Sequence, residues 1–137
     1  MQPEIWGRHF WNVIHILTLS YPNNPTRKDI ENHKQFFDSL GKVLPCDKCR
    51  LNFSSHMKNN RLTDSVLSSK QSFVKWGIDL HNTVNYHTGK EVLSYRDAMI
   101  ELTNLVSNKR SYENIYFLIF CFSLFCVILY ILNKKLK

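Results

Sequence analysis

The stretch VLPCDKCR, residues 43–50, sets Cys46 and Cys49 two residues apart, directly after a proline. A thiol pair at this spacing can supply half of a zinc site, exchange a disulfide as thioredoxin-type proteins do, or be two cysteines near a helix start with no joint role. Zinc needs two more soft ligands. The remaining cysteines, 121 and 126, lie inside an apolar run, and none of the six histidines forms the HxxxH pair of a zinc finger. A thioredoxin-type pair follows a strand, whereas here a helical pattern leads in. The position itself is chemical. A helix beginning at or near Cys46 brings free N–H groups and partial positive charge to the sulfurs, and Lys48 and Arg50 add cations. Both effects favour thiolate over thiol. On these residues alone the three readings stand side by side.

Two polar stripes carry further chemistry. Arg8, Trp11 and His15 recur at i, i+3 and i+7 and fall on one helix face. A flat ring between cationic and hydrogen-bonding groups suits a planar, phosphate-bearing cofactor, and also suits an ordinary half-buried face. Further on, HNTVN places His81, Asn82 and Asn85 together, and Lys90 follows Gly89 after the turn. Amide side chains both donate and accept, so they can read a ring edge or ribose hydroxyls, or simply face solvent. The apolar neighbours Trp76, Leu80 and Val84 set this stripe against a core, where buried amides need partners.

The elements that must hold these residues are helical. Ile5, Trp6, Phe10, Val13, Ile14, Leu17 and Tyr21 follow helix spacing from Pro3 onward, and Pro3 suits a first turn. Thr26 caps a second helix over 27–43, with Ile30, Phe36, Phe37, Leu40 and Val43 inward, and Leu44–Pro45 ends it. A third runs from about Cys46 to Asn59, a fourth over 70–87, and a shorter fifth over about 95–107. No alternating strand pattern occurs. The prediction is an all-α protein, an antiparallel four-helix bundle with a short fifth helix.

Residues 115–132, IYFLIFCFSLFCVILYIL, contain no charge, Gly or Pro. About 17–25 apolar residues cross a bilayer as a helix. Basic residues flank the run on both sides, and Tyr116 and Tyr130 sit near its ends as interfacial aromatics do. The expected layout is a soluble domain over 1–108, a connection at 109–114, a transmembrane helix at 115–132 and a basic tail at 133–137. MQPEIWGRHFW lacks the basic-then-apolar order of a signal peptide, so a tail anchor is expected. The net charge of +7 suits anionic lipid or an anionic cofactor as well as nucleic acid. The basic residues are dispersed, clustering only at Lys134, Lys135 and Lys137, and no nucleic-acid partner is expected.

Taken in order, WGRHFWNVIH, YP, LPCDKCRLNF and W-x4-HNTVN-x3-GK resemble the FAD-linked sulfhydryl oxidases of the Erv/ALR family, most of all the short members encoded by large eukaryotic DNA viruses. The likeness covers about residues 5–91. It implies a helical bundle, usually dimeric, with FAD in the bundle mouth. Gly7, Arg8, Trp11 and His15 match the first FAD-contacting segment. Cys46 and Cys49 match the active disulfide, which leaves no metal site. Phe53 matches an aromatic near the flavin, and Trp76 a further contact. His81, Asn82 and Asn85 match the segment at the adenosine, and Lys90 its nearby lysine.

The implied activity is thiol oxidation. A small thioredoxin-like dithiol protein gives up electrons at Cys46, and they pass by way of Cys49 and FAD to oxygen, yielding hydrogen peroxide. Residues 1–108 lack the additional shuttle and structural cysteines of many members, so a separate dithiol partner is required. The fifth-helix tryptophans common in cellular members are missing, and Tyr95 is the residue that could take over some of their stacking. The depth of Cys121 and Cys126 in the apolar run argues against a shuttle role for them. The competing expectation is a membrane-anchored helical adaptor whose CxxC binds zinc.

Overall fold

The computed structural model describes residues 1–107, 115–126 and 134, and every regular element among them is helical. Five α-helices follow one another: α1 (Pro3–Ser20), α2 (Arg27–Val43), α3 (Asp47–Asn59), α4 (Lys70–His87) and α5 (Tyr95–Val106). A 3-10 turn, Val66–Ser68, precedes α4 and buries Leu67 completely.

The helix ends follow local chemistry. Pro3 occupies the first turn of α1, where its missing N–H is not needed. Thr26 and Asp29 form a reciprocal capping box on α2. The Thr26 bonds hold the Asp29 carboxyl below its usual pKa. Ser69 caps α4 by accepting from the Ser72 N–H. α3 is capped by a sulfur, that of Cys46.

Contacts within the first compact unit, Met1–Ile100, set the helix directions. Tyr21 meets Phe73 and Trp11 meets His81, so α1 and α4 run oppositely. His56 meets His87 and Asn60 meets Thr83, so α3 also opposes α4. His33 and Phe37 meet Phe73 and Trp76 in the same order, which makes α2 parallel to α4. This is the up-down-up-down bundle expected from the sequence. The starts of α1 and α3 and the ends of α2 and α4 therefore share one end of the bundle. The core is an aromatic stack, with Tyr21, Phe37, Phe73 and Trp76 meeting mostly edge to face and Ile14, Leu40 and Leu80 beside them.

Three apolar residues of the helical patterns, among them Val43 that was expected inward, face outward. Ile5, Val13 and Val43 are 62%, 50% and 67% exposed. On α1 the inward stripe is Trp6, Phe10, Ile14, Thr18 and Tyr21, a spacing of three to four that leaves Ile5 and Val13 on another face. At the end of α2 the chain leaves helical geometry at Leu44, which turns inward and is buried in place of Val43.

The second compact unit is Glu101–Lys137. Residues 115–126 are helical with exposed apolar side chains. Among the described residues no helix is long and apolar enough to cross a membrane. Residues 127–132 of the expected span, the 109–114 connection and most of the 133–137 tail lie outside the described residues.

Candidate redox site

Cys46 and Cys49 form a disulfide with Cα atoms 5.1 Å apart. The geometry starts one step earlier in the chain. The Cys46 N–H donates to the Leu44 carbonyl (2.8 Å), folding the backbone tightly around Pro45. Cys46 then sits in extended conformation at the N-cap, and its sulfur accepts the Cys49 N–H at 3.2 Å. The sulfur therefore takes the position a serine or aspartate oxygen holds in most caps, where the helix N-terminus stabilises negative charge. Arg50 braces the turn by donating to the Leu44 carbonyl (2.5 Å) and to the Asp47 carboxylate. Its charge is thus partnered, so of the two cations expected to act on the thiols only Lys48 is without an acidic partner among the described residues. Cys49 packs against the apolar core. Phe53, one turn further on, is buried against Gly41, where a Cβ would stand 2.9 Å from its ring.

The same end of the bundle carries the two polar stripes, which meet across the α1–α4 seam. The rings of Trp11 and His81 stack at 4.0 Å, only 13° from parallel. Behind them His15, 6% exposed, meets His81 through Nε2 and Nδ1 at 2.9 Å. Only one ring donates across this contact. The other ring nitrogen of His15, Nδ1, is buried without a partner. An orphaned N–H costs more than an orphaned acceptor, so the network assigns the His15 proton to Nε2. His81 then accepts at Nδ1 and carries its own proton on Nε2, as a donor. Burial pushes both imidazoles down to about 4, with the neighbouring ring and Lys90 adding to the effect at His81.

Gly77 permits this closeness. A Cβ there would lie 3.1 Å from Thr18 and 3.9 Å from His15 Nδ1. The helical pattern of α4 sets Gly77 inward beside Trp76 and Leu80 without assigning it this role. A helical glycine on an otherwise apolar face was the available signal.

The asparagines find partners within the chain itself. Asn82 donates to the Leu93 carbonyl (2.8 Å) and accepts the Leu93 N–H (3.1 Å), pairing as a peptide unit would. Asn85 donates to the Glu91 carbonyl at 3.0 Å and accepts the Lys90 N–H on its own carbonyl at 2.9 Å. Gly89, at φ 69°, makes the left-handed turn between them. The two amides thus pin the segment that carries Lys90. Trp76 is 5% exposed and donates its indole N–H to the Asn60 carbonyl (3.0 Å), which places it in the core. Arg8 and Lys90 are exposed and have no acidic partner among the described residues. Gly7 leaves open space, since a Cβ there would touch nothing within 4 Å.

A flat, half-buried aromatic platform with two unpaired cations fits a planar group bearing phosphates. Among the described residues no group of three His, Cys, Asp or Glu is placed to hold a metal ion.

A helical bundle with a capped CxxC disulfide at its open end defines a dithiol–disulfide exchange protein. Comparison makes the class specific. Residues 8–104 match the Erv1 / Alr family, and the chain belongs to that family. It is 48% identical over 115 residues to the probable FAD-linked sulfhydryl oxidase R368 of Acanthamoeba polyphaga mimivirus, covering 82% of this chain and 80% of that protein. It is 37% identical over 97 residues to the putative FAD-linked sulfhydryl oxidase 347L of Invertebrate iridescent virus 6, covering 68% and 87%. The crystal structure of the yeast Erv1 core superposes with a TM-score of 0.63 at 26% identity, over 69% of this chain and 77% of that one.

Proposed function

We propose that the protein is a FAD-dependent thiol oxidase that makes disulfides in a small thioredoxin-like dithiol protein. The observation that carries this is the Cys46–Cys49 disulfide capping α3. A thiolate of the donor attacks the Cys46 sulfur. The donor–Cys46 bond forms as the Cys46–Cys49 bond breaks, and Cys49 leaves as a thiolate. The donor's second thiolate attacks its own sulfur in the mixed disulfide and releases Cys46. The donor has then lost two electrons and two protons. The pair has gained the electrons, and the protons go to solvent. The Cys49 N–H and the helix end stabilise charge on Cys46. Cys49, packed on the core, is the inner sulfur.

FAD bound at this end would supply the two-electron acceptor that restores the disulfide, with oxygen as final acceptor and hydrogen peroxide as product. Trp11, His15 and His81 would form its platform. Arg8 and Lys90 would meet its phosphates, and Gly7 would leave room for it. Asn82 and Asn85 hold the Lys90 segment in place, while Phe53 and Trp76 back the site from the core. The exposed stripe of Ile5, Val13 and Ile16 on α1 supports a homodimer.

The purified full chain in detergent should be yellow, sediment as a dimer and consume oxygen when given dithiothreitol. A colourless preparation that consumes none overturns the oxidase reading, and a monomer mass overturns the dimer.

The run 115–132 is proposed as a single tail-anchoring span, with the oxidase domain on the cytosolic side of a host or virion membrane. Its support is the uncharged apolar sequence between basic flanks. Alkaline carbonate extraction should leave the chain in the membrane pellet, and release to the supernatant would discard the span.

A further inference from the structure

A groove of about 470 Å³ is lined by residues of α2, of α3 and of the segment that follows α3. Its floor is apolar, formed by Phe37, Gly41, Phe53, Met57 and Leu62. Its rim is cationic. Lys34 and Lys42 are answered by Asp64 and Asp38. Lys58 and Arg61 also line it, both are exposed, and neither has an acidic partner among the described residues.

The helix that begins at the disulfide, α3, also lines the groove. Cys49, Phe53 and Met57 stand at i, i+4 and i+8 on α3, and Cys46, Arg50, Ser54 and Lys58 form the adjacent row. At 1.5 Å per residue, Phe53 is about 6 Å and Lys58 about 13 Å along the axis from Cys49, with Arg61 beyond. An extended chain advances roughly 3.3 Å per residue. A segment leaving the disulfide along this line therefore reaches the apolar floor about two residues on. It reaches the unpaired cations about four to six residues on.

We propose that this groove docks the donor protein by the segment beyond its reacting cysteines, with an apolar side chain on the floor and acidic side chains at Lys58 and Arg61. This rests on the oxidase reading and gives the substrate's chemistry. Charge complementarity supports it, since Lys58 and Arg61 are the rim cations left unanswered, at the distance where such a segment would pass.

The test uses the full-length, FAD-loaded chain and two reduced peptides. Both contain Cys-Gly-Pro-Cys followed by one spacer residue, a phenylalanine and a second spacer residue; one then carries three glutamates and the other three lysines. At low salt kcat/KM should be about tenfold higher for the glutamate peptide, and 0.5 M salt should erase the difference. Lys58→Glu/Arg61→Glu should invert the preference while dithiothreitol turnover stays within about twofold. The charge-matched Lys28→Glu/Arg96→Glu should keep it. Equal rates with both peptides, or a preference that survives the Lys58/Arg61 reversal, overturn the groove and leave the oxidase standing. No turnover of dithiothreitol by the wild-type chain overturns both.

Discussion

Cys49→Ser should abolish thiol oxidation, lowering turnover of dithiothreitol by on the order of a thousandfold or more, because no intramolecular disulfide remains to accept electrons. The two cysteines have distinguishable positions. Cys46 is the N-cap and its sulfur takes the Cys49 N–H, whereas Cys49 packs on the core. With serine at 49, Cys46 is a lone thiol, so the thiolate of a reduced donor has no sulfur–sulfur bond to attack and its electrons stay with it. The disulfide closes only a short loop, with a sequence separation of three. Its loss should cost about 2 kcal/mol by chain-entropy arithmetic. That corresponds to a fall in Tm of about 8 °C for a domain of this size, which leaves it folded at 25 °C. Turnover loss together with a retained flavin absorbance therefore separates chemistry from folding. Cys121→Ser/Cys126→Ser should keep the wild-type rate. A Cys49→Ser variant that oxidises dithiothreitol normally would remove Cys49 from the pathway.

The helices were legible because their ends are written locally. Thr26 with Asp29, Ser69 before Lys70 and Leu44–Pro45 mark boundaries without reference to anything distant. The CxxC pair was legible as redox-competent for the same reason, since Cys46 is itself a cap. What sequence could not supply was the pairing between helices. The stripes on α1 and α4 were visible, but the stacking of Trp11 on His81 depends on Gly77 admitting Thr18 closely. Asn82 and Asn85 were seen correctly as amides needing partners, and the partners are main-chain groups eleven and six residues on. A side chain's hydrogen-bond demand is local, but what meets it is decided by where the turn at Gly89 sends the chain. Ile5 and Val13 show the same limit for apolar residues. Helical period identifies a face, and only the neighbour's position says whether it is covered.

Lowering the pH from 7.5 to 4.5 should destabilise the domain by about 2 kcal/mol, a fall in Tm of roughly 8–10 °C. The cause is the α1–α4 seam, where burial depresses His15 and His81 from 6.5 to about 4. Between those values the unfolded chain binds more protons than the native one, so stability rises with pH. The contribution is fully present above 6.5 and is lost as pH falls towards 4. Taken singly, each shift corresponds to about 3 kcal/mol; one hydrogen bond couples the rings and His81 is partly exposed, which reduces the sum. His56, depressed by burial and by His87, titrates in the same direction. The capping and ion-paired carboxylates Asp29 and Asp64 are depressed below 3.8, so their loss begins only at lower pH and leaves this window to the histidines. His15→Leu should flatten the pH dependence by about half, because it removes one of the two titrating rings and the charge each places on the other. A Tm constant to within 2 °C across the range, or imidazole titrations near 6.5 by NMR, would show that the rings are solvated. The stacked platform would then not exist in solution. The two readouts therefore test the site and not stability alone, since the same exclusion of water that lowers both pKa values keeps His81 neutral, with its Nε2 proton available to a bound acceptor.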